Sequence, residues 1–367
     1  MDIDSLNIDK SGCVLTPMGD LADEISKRVD NPSDSDYEKF VGLEHFVSGD
    51  LKIRQWGSTE NLTSSTKAFE SGDILFARRN AYLRRASLVS FDGVCSGDAF
   101  VLRENHEKVV PGFLAFVVNS NALWEFANAN AAGTMSKRVK WRDLAEFEFL
   151  LPPKEQQAEI AELLWAIDDL IQNEMVLFTS LSQMKKALLK EAFNRDCCDK
   201  VKVSDISENL DNRRIPIKSS DRIKGEFPYY GASGVVDNVD GFIFDEPILL
   251  VSEDGENLNS RKLPIAYSVD EKCWVNNHAH VLSVNKASRY LVKEYFNFSD
   301  ISDFIAGGTR PKITKSMLSD MPIYLPKSDI SSAIENRLLI IDNAIFRIEE
   351  KIKSSEIFKK ALINEVF

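Results

Sequence analysis

MKKALLKEAF, residues 184–193, returns as FKKALINEVF at 358–367, an offset of 358 − 184 = 174 residues. Both copies space their apolar side chains as one face of an α-helix does. The match continues upstream, where Leu151-Pro152 returns as Leu325-Pro326 and AAGTMSKRVKWRDL (131–144) is echoed by AGGTRPKITKSML (306–318). Near the start of each copy, MGDLADEISKR (18–28) is similar to VSDISENLDNR (203–213), with Asp20 answering Asp205 after a longer shift. The chain is two copies of one plan.

Each copy ends in a long amphipathic stretch. In the first, Ile160, Leu164, Ile167, Ile171, Glu174 and Phe178 follow alternating spacings of four and three. Adding 174 gives Ile334, Leu338, Ile341, Ile345, Ile348 and Ile352, and the same phase continues through Leu188 and Leu362. One heptad seam written twice is what two helices packed as a coiled coil require. The plainer alternative, a stripe that packs only on its own globular part, suits a single helix better than two in phase. If a pseudo-twofold axis relates the copies, the second helix returns toward the first globular part and the pair is antiparallel. A helix of about forty residues spans roughly 60 Å, nearly two turns of DNA.

The remainder of each copy mixes strands and helix. DILFARR (73–79), DAFVLR (98–103) and EFEFLL (146–151) predict strands, and residues 110–132 predict a helix with Pro111 in its first turn. The second copy offers PILLVS (247–252), PIAYSV (264–269) and AHVLSV (279–284), then a helix over 288–306. Gly133 and Gly308 stand where a left-handed helix C-cap favours glycine. The expected fold is therefore α+β: two similar globular domains separated by two long helices packed as an antiparallel coiled coil, with an internal pseudo-twofold repeat. The expected segments are an acidic N-terminal tail (1–13), a first domain (14–150), a first long helix (151–196), a second domain (197–327) and a second long helix (328–367).

Composition narrows the class. The 367 residues are 44% hydrophobic, enough for two ordinary cores. No signal peptide and no apolar run of membrane-spanning length is evident, so a cytoplasmic protein without a membrane partner is expected. The five cysteines include no CxxC spacing and read as reduced thiols. Net charge is −12, but residues 1–50 hold twelve acids and four bases, 4 − 12 = −8, leaving −12 − (−8) = −4 for the other 317. Bases cluster at 78–85, 137–142, 212–214 and 309–315, so positive patches are expected on an acidic chain.

LLPPKEQQAEIAELLWAIDDLI (150–171), FPYYGASGVVDNVDGFIFDEPILLVSEDGENL (227–258) and WVNNHAHVL (274–282), in the order globular part, helix, globular part, helix, resemble the specificity (S) subunits of type I restriction-modification systems. The resemblance covers nearly the whole chain. It implies two target recognition domains, each reading one half of a split double-stranded DNA sequence, and helices that act as spacer and docking surface for methyltransferase subunits, two of them expected. It further implies restriction and translocase subunits as partners, no catalysis by this chain, and S-adenosylmethionine, ATP and magnesium held by the partners. The box LPPKEQQ (151–157) has become LPKSDIS at 325–331, so contacts of Glu155 to Gln157 lack a twin. The residues agree: neither a GxxxxGK[ST] phosphate loop nor a [DN]PP[YF] methyltransferase motif occurs. A coiled-coil scaffold whose heads bind proteins is the alternative.

Candidate DNA contacts follow from side-chain chemistry. Arg78, Arg79, Arg84 and Arg85 bring guanidinium forks suited to phosphate and guanine, Asn80 an amide suited to adenine, and Tyr82 an aromatic face. Lys137, Arg138 and Lys140, with Arg310, Lys312 and Lys315, stand in the duplicated loop; the pairs Lys137/Lys312 and Lys140/Lys315 suggest a phosphate role common to both heads, with solvated loop charge as competitor. In the second head Tyr229, Tyr230 and Ser233 are candidates, although the tyrosines suit a core equally. His278 and His280 are expected in hydrogen-bonded structural roles, with no metal in the chain, since alternate strand residues share a face without needing an ion.

Overall fold

The computed structural model describes residues 10–134 and 136–367. Most of the acidic tail (1–9) and Met135 of the first glycine-led loop lie outside the described residues. The heptad stretches form two uninterrupted helices of 39 residues, Lys154–Ala192 and Ser328–Val366. Neither contains glycine or proline, and the prolines at 152, 153 and 326 stand just before them, where a missing N–H costs nothing. Among the described residues no helix is long and apolar enough to cross a membrane.

The chain divides into two units, one holding the residues up to Leu177 together with Ile348–Phe367, the other Phe178–Arg347. The division falls inside both long helices. Packing groups half of each helix with one head, whereas the sequence segments end where the helices begin.

In the first unit, Val14–Pro17 pairs antiparallel with Glu148–Leu151, tying the start of the head to its end. A four-stranded antiparallel sheet runs in the order Ala22–Ile25, Ala99–Glu104, Ile74–Ala77, Ala86–Leu88. Ile74–Ala77 is buried at every residue, as a strand covered on both faces must be. Ile74 and Phe76 enter one core with Trp124, while Leu75 and Ala77 enter another with Val41 and Phe69. The second core is backed by a five-stranded sheet of short strands that includes Lys39–Val41, Thr66–Phe69 and Gly93–Cys95.

The second unit repeats this plan. Cys198–Lys202 pairs antiparallel with Pro322–Pro326, and the four-stranded sheet runs Ser207–Asn209, Ala279–Val284, Ile248–Ser252, Ala266–Val269. Leu249 and Val251 face one core, Ile248 and Leu250 the other. The copies diverge at the second core, where three strands (Lys224–Gly231, Gly234–Val239, Trp274–Val275) replace five.

Two sequence expectations need correction. The helix expected over 110–132 is two, Leu114–Val117 and Asn121–Ala129, because Ser120 Oγ accepts the Leu123 N–H (3.3 Å) and starts the chain afresh. Its counterpart Arg289–Phe298 starts in the same way on Ser288 and ends well before 306. The glycines therefore do not cap these helices. Gly133 (φ +121°) and Gly307 (φ +89°), rather than Gly308, turn the loops that follow, and a Cβ on Gly307 would stand 2.6 Å from the Arg310 carbonyl oxygen.

Within each unit the helix segments are antiparallel. In the first, Lys351 Nζ meets Glu174 (2.7 Å) and Lys359 Nζ meets Asp168 (2.9 Å); in the second, Lys185 Nζ meets Asp342 (2.7 Å). The seam also closes the heads. Leu164, Ile167 and Ile171 are buried in the first head's core with Ile160 at its edge, and Leu338 and Ile341 are buried in the second's, flanked by Ile334 and Ile345. Phe178 and Ile352 are half-buried. Leu164 and Leu338, both fully buried, each add about 2 kcal/mol by removal of apolar surface from water.

Candidate nucleic-acid interface

In each head the strand at the centre of the four-stranded sheet runs into the glycine-led loop through the same backbone bonds. In the first, Arg78 N–H donates to Asp98 O (3.0 Å), Val139 N–H to Arg78 O (2.9 Å) and Asn80 N–H to Lys137 O (3.0 Å). In the second, Glu253 N–H donates to His278 O (2.9 Å), Ile313 N–H to Glu253 O (2.8 Å) and Gly255 N–H to Pro311 O (3.0 Å). Arg78 is thus equivalent to Glu253, Arg79 to Asp254 and Asp98 to His278. The bridges Ala132–Arg138 and Ala306–Lys312 set the loop register, since 132 + 174 = 306 and 138 + 174 = 312. Lys312 is therefore the counterpart of Arg138, not of Lys137 as the sequence suggested, and Lys140 corresponds to Thr314, each preceding a short helix.

The first head's cluster is basic around one acid. Arg138 makes a forked contact with Asp98 (Nε 3.0 Å, Nη2 3.4 Å), while Arg78 and Arg79 stand 3.7 Å from the same carboxylate. Burial alone would raise the Asp98 carboxyl, but the Arg138 hydrogen bond and three guanidinium charges hold it below the usual carboxylate range. Arg79 Nε donates to Ser136 Oγ (2.6 Å). Arg78 Nε is buried without a hydrogen-bond partner among the described residues.

The second head's cluster carries the opposite arrangement. Glu253 and Asp254 stand where the first head has arginines, and bases surround them: Lys312 on Glu253 (3.0 Å), Arg310 on Asp254 (3.0 Å) and His278 Nδ1 on Asp254 (3.1 Å). Behind them Arg214 contacts Glu253 (2.7 Å) and Asp211 (3.5 Å). His280 bonds Asp211 through Nδ1 (2.6 Å) and the Ile313 carbonyl through Nε2 (2.8 Å). Burial pushes Glu253 up, yet its bonds to Arg214 and Lys312 leave it below its ordinary value. Asp211 is likewise depressed: burial raises it, and the His280 bond and charge with the Val281 N–H more than offset that. Asp211, Glu253 and His280 bring potential ligand atoms within 4.8 Å of one another. Arg214 already lies between the two carboxylates, so the cluster is a polar network closed by a guanidinium, in keeping with a hydrogen-bonded role for His280.

The other candidates divide. Tyr82, Lys137, Lys140, Ser233 and Lys315 are exposed or half-exposed. Arg84 sits in a left-handed conformation (φ 49°) and donates to Asn121 (2.5 Å), and Asn80 is left-handed as well (φ 56°). Arg85 ties Leu43 O (3.0 Å) to Arg79 O (3.2 Å) and so braces the loop from inside. Tyr229 and Tyr230 are corrected to core residues. Tyr229 is 1% exposed, its hydroxyl accepts the Ile217 N–H (3.0 Å) and Arg222 covers its ring; Tyr230 bonds Glu271 (3.2 Å). Gln157 is also internal: its Oε1 accepts the Val110 N–H (3.0 Å) and its amide donates to Pro152 O (2.8 Å), a brace that Ser331 does not copy. Sequence reasoning missed Asp98 and Asp254, and marked Arg214 only as part of the basic cluster at 212–214. The signal for the two acids was the register of the repeat, which sets Asp98 against His278 and Asp254 against Arg79.

The repeat has a counterpart in comparisons with known proteins. The family model for the type I restriction modification DNA specificity domain matches residues 23–176 and again 197–356. The chain belongs to this family. Among relatives of these specificity domains, a Haemophilus influenzae protein assigned as type I restriction enzyme specificity subunit S.HindORF215P is 32% identical over 133 residues, 36% of this chain and 34% of that protein. The MjaVIII specificity subunit of Methanocaldococcus jannaschii is 26% identical over 276 residues, 64% of each. The chain thus spans about a third of the first relative's length and just under two thirds of the second's. The S subunit of a type I restriction-modification system from M. genitalium has the same fold, with a TM-score of 0.67 over 100% of this chain and 98% of that one at 14% identity.

Proposed function

We propose that the chain is the DNA-reading subunit of a type I restriction-modification complex, each head recognising one half of a bipartite duplex target. The observation that carries this reading is the pair of equivalent charged clusters, each with exposed bases, on an acidic chain. Such bases release counterions from phosphate and position a protein on DNA, while side chains of differing chemistry discriminate base edges. In this reading the chain is non-catalytic and cytoplasmic. The exposed faces of its helices dock methyltransferase subunits, two of them matching the two copies, and restriction subunits join that complex. S-adenosylmethionine, ATP and magnesium belong to those partners.

Co-expression with the neighbouring methyltransferase in a host without adenine methylation, followed by long-read mapping of modified adenines, tests the reading. A split motif with a fixed gap, modified on both strands, is expected. A complex that forms and modifies nothing overturns it.

A further inference from the structure

The two clusters share one backbone arrangement and exchange their charges. Arg78 and Arg79 in the first head are Glu253 and Asp254 in the second, and the acid Asp98 is His278. Position 136 takes part in both: Ser136 accepts from Arg79, and its equivalent Arg310 (136 + 174 = 310) binds Asp254, equivalent to Arg79. A cross-strand pair has therefore been kept while the residues that form it have been replaced. In each cluster one exposed arginine, Arg138 or Arg310, is paired with a carboxylate that is itself mostly covered. The pairing favours one orientation of the arginine, so the exposed remainder of its guanidinium has less ordering left to do on binding.

An exposed guanidinium edge of favoured orientation suits the O6 and N7 acceptors of guanine. A phosphate needs only charge nearby, which exposed lysines such as Lys137 and Lys315 supply. We propose that Arg138 and Arg310 are the base-discriminating residues of the two half-sites, oriented by Asp98 and Asp254, and that the charge exchange around them makes the half-sites different. The inference rests on the DNA-reading function above. Asp98 and Asp254 are positioning residues, since they act through the arginines.

Arg310→Lys tests this directly, because it keeps the charge and loses the fork. Arg310 is exposed, and its replacement leaves the core untouched. In the co-expressed complex, the motif modified by the Arg310→Lys chain is expected to relax at one base pair of one half-site. Discrimination there falls about tenfold or more, and the other half-site is unchanged. Arg138→Lys relaxes the opposite half-site, and Asp254→Asn reproduces the effect of Arg310→Lys more weakly. A motif that keeps every base while overall modification declines assigns these arginines to phosphate and overturns the inference, leaving the two-headed reading intact. A wild-type complex that forms and yields no motif overturns both.

Discussion

Lys359 Nζ lies 2.9 Å from Asp168 Oδ1, and the repeat copies the pair: 359 − 174 = 185 and 168 + 174 = 342, and Lys185 Nζ lies 2.7 Å from Asp342 Oδ1. The heptad pattern alone marks Lys185 and Lys359 as flaws in an apolar seam. The structure shows them to be matched ion pairs between helix segments, one in each unit.

The environments differ, and so should the costs. Asp168 is 1% exposed and keeps Arg54 (2.8 Å) if Lys359 is removed, whereas Lys185 bridges Asp342, 28% exposed and also bonded by the Tyr290 hydroxyl (2.7 Å), and Glu294, 5% exposed and also paired with Lys293 (2.9 Å). Lys359→Met should cost about 3 kcal/mol, the scale for breaking a buried pair, and Lys185→Met somewhat less, about 2 kcal/mol, because one of its two carboxylates is partly in water. Denaturant unfolding of the full chain compares the two. Equal losses would mean that burial does not set the cost.

Asp50 faces the same pair. Burial raises its carboxyl above the ordinary value, against the opposing charges of Lys359 and Arg54. A raised carboxylate takes up its proton more readily folded than unfolded, so stability falls as pH climbs from about 4, the unfolded value, through the folded one. Asp50→Asn should therefore raise the melting temperature at pH 7 and give no gain at pH about 3.5, where the aspartate is largely protonated in both states. A gain independent of pH would assign the effect to packing rather than to charge.

Thiol reactivity should follow burial. Cys95 and Cys273 are buried and their thiols are pushed up to about 12 by desolvation, while Cys197 is exposed. Iodoacetamide at pH about 8 should modify Cys197 in the native chain and reach Cys95 and Cys273 only after unfolding, as followed by peptide mass spectrometry. Native labelling of Cys95 would reveal local opening of the first head's five-stranded sheet.

Much of the architecture is legible in the chain because it rests on periodicity. The phase of Ile160, Leu164, Ile167 and Ile171, repeated 174 residues later, is enough to specify two long helices. The basic stretch at 137–142 and its echo at 309–315 likewise mark the loop that pairs with residues 78–80 in one head and 253–255 in the other. Local dihedral choices were less legible. Ser120 breaks an otherwise continuous apolar helix pattern, because one side-chain oxygen competes with the helical hydrogen bond and hydrophobic spacing does not register it.

The sequence by itself determined the duplication and the helices, since each depends on the order and spacing of residues along the chain. Only the tertiary structure decided which of the candidate residues stand exposed beside the duplicated loop. Tyr229 went to the core, Arg85 became an internal brace, and Asp98 and Asp254, remote in sequence from Arg138 and Arg310, were brought to them by strand pairing. Electrostatic partners are set by distance in space, and residues forty or fifty-six positions apart along the chain become neighbours only when the sheet forms.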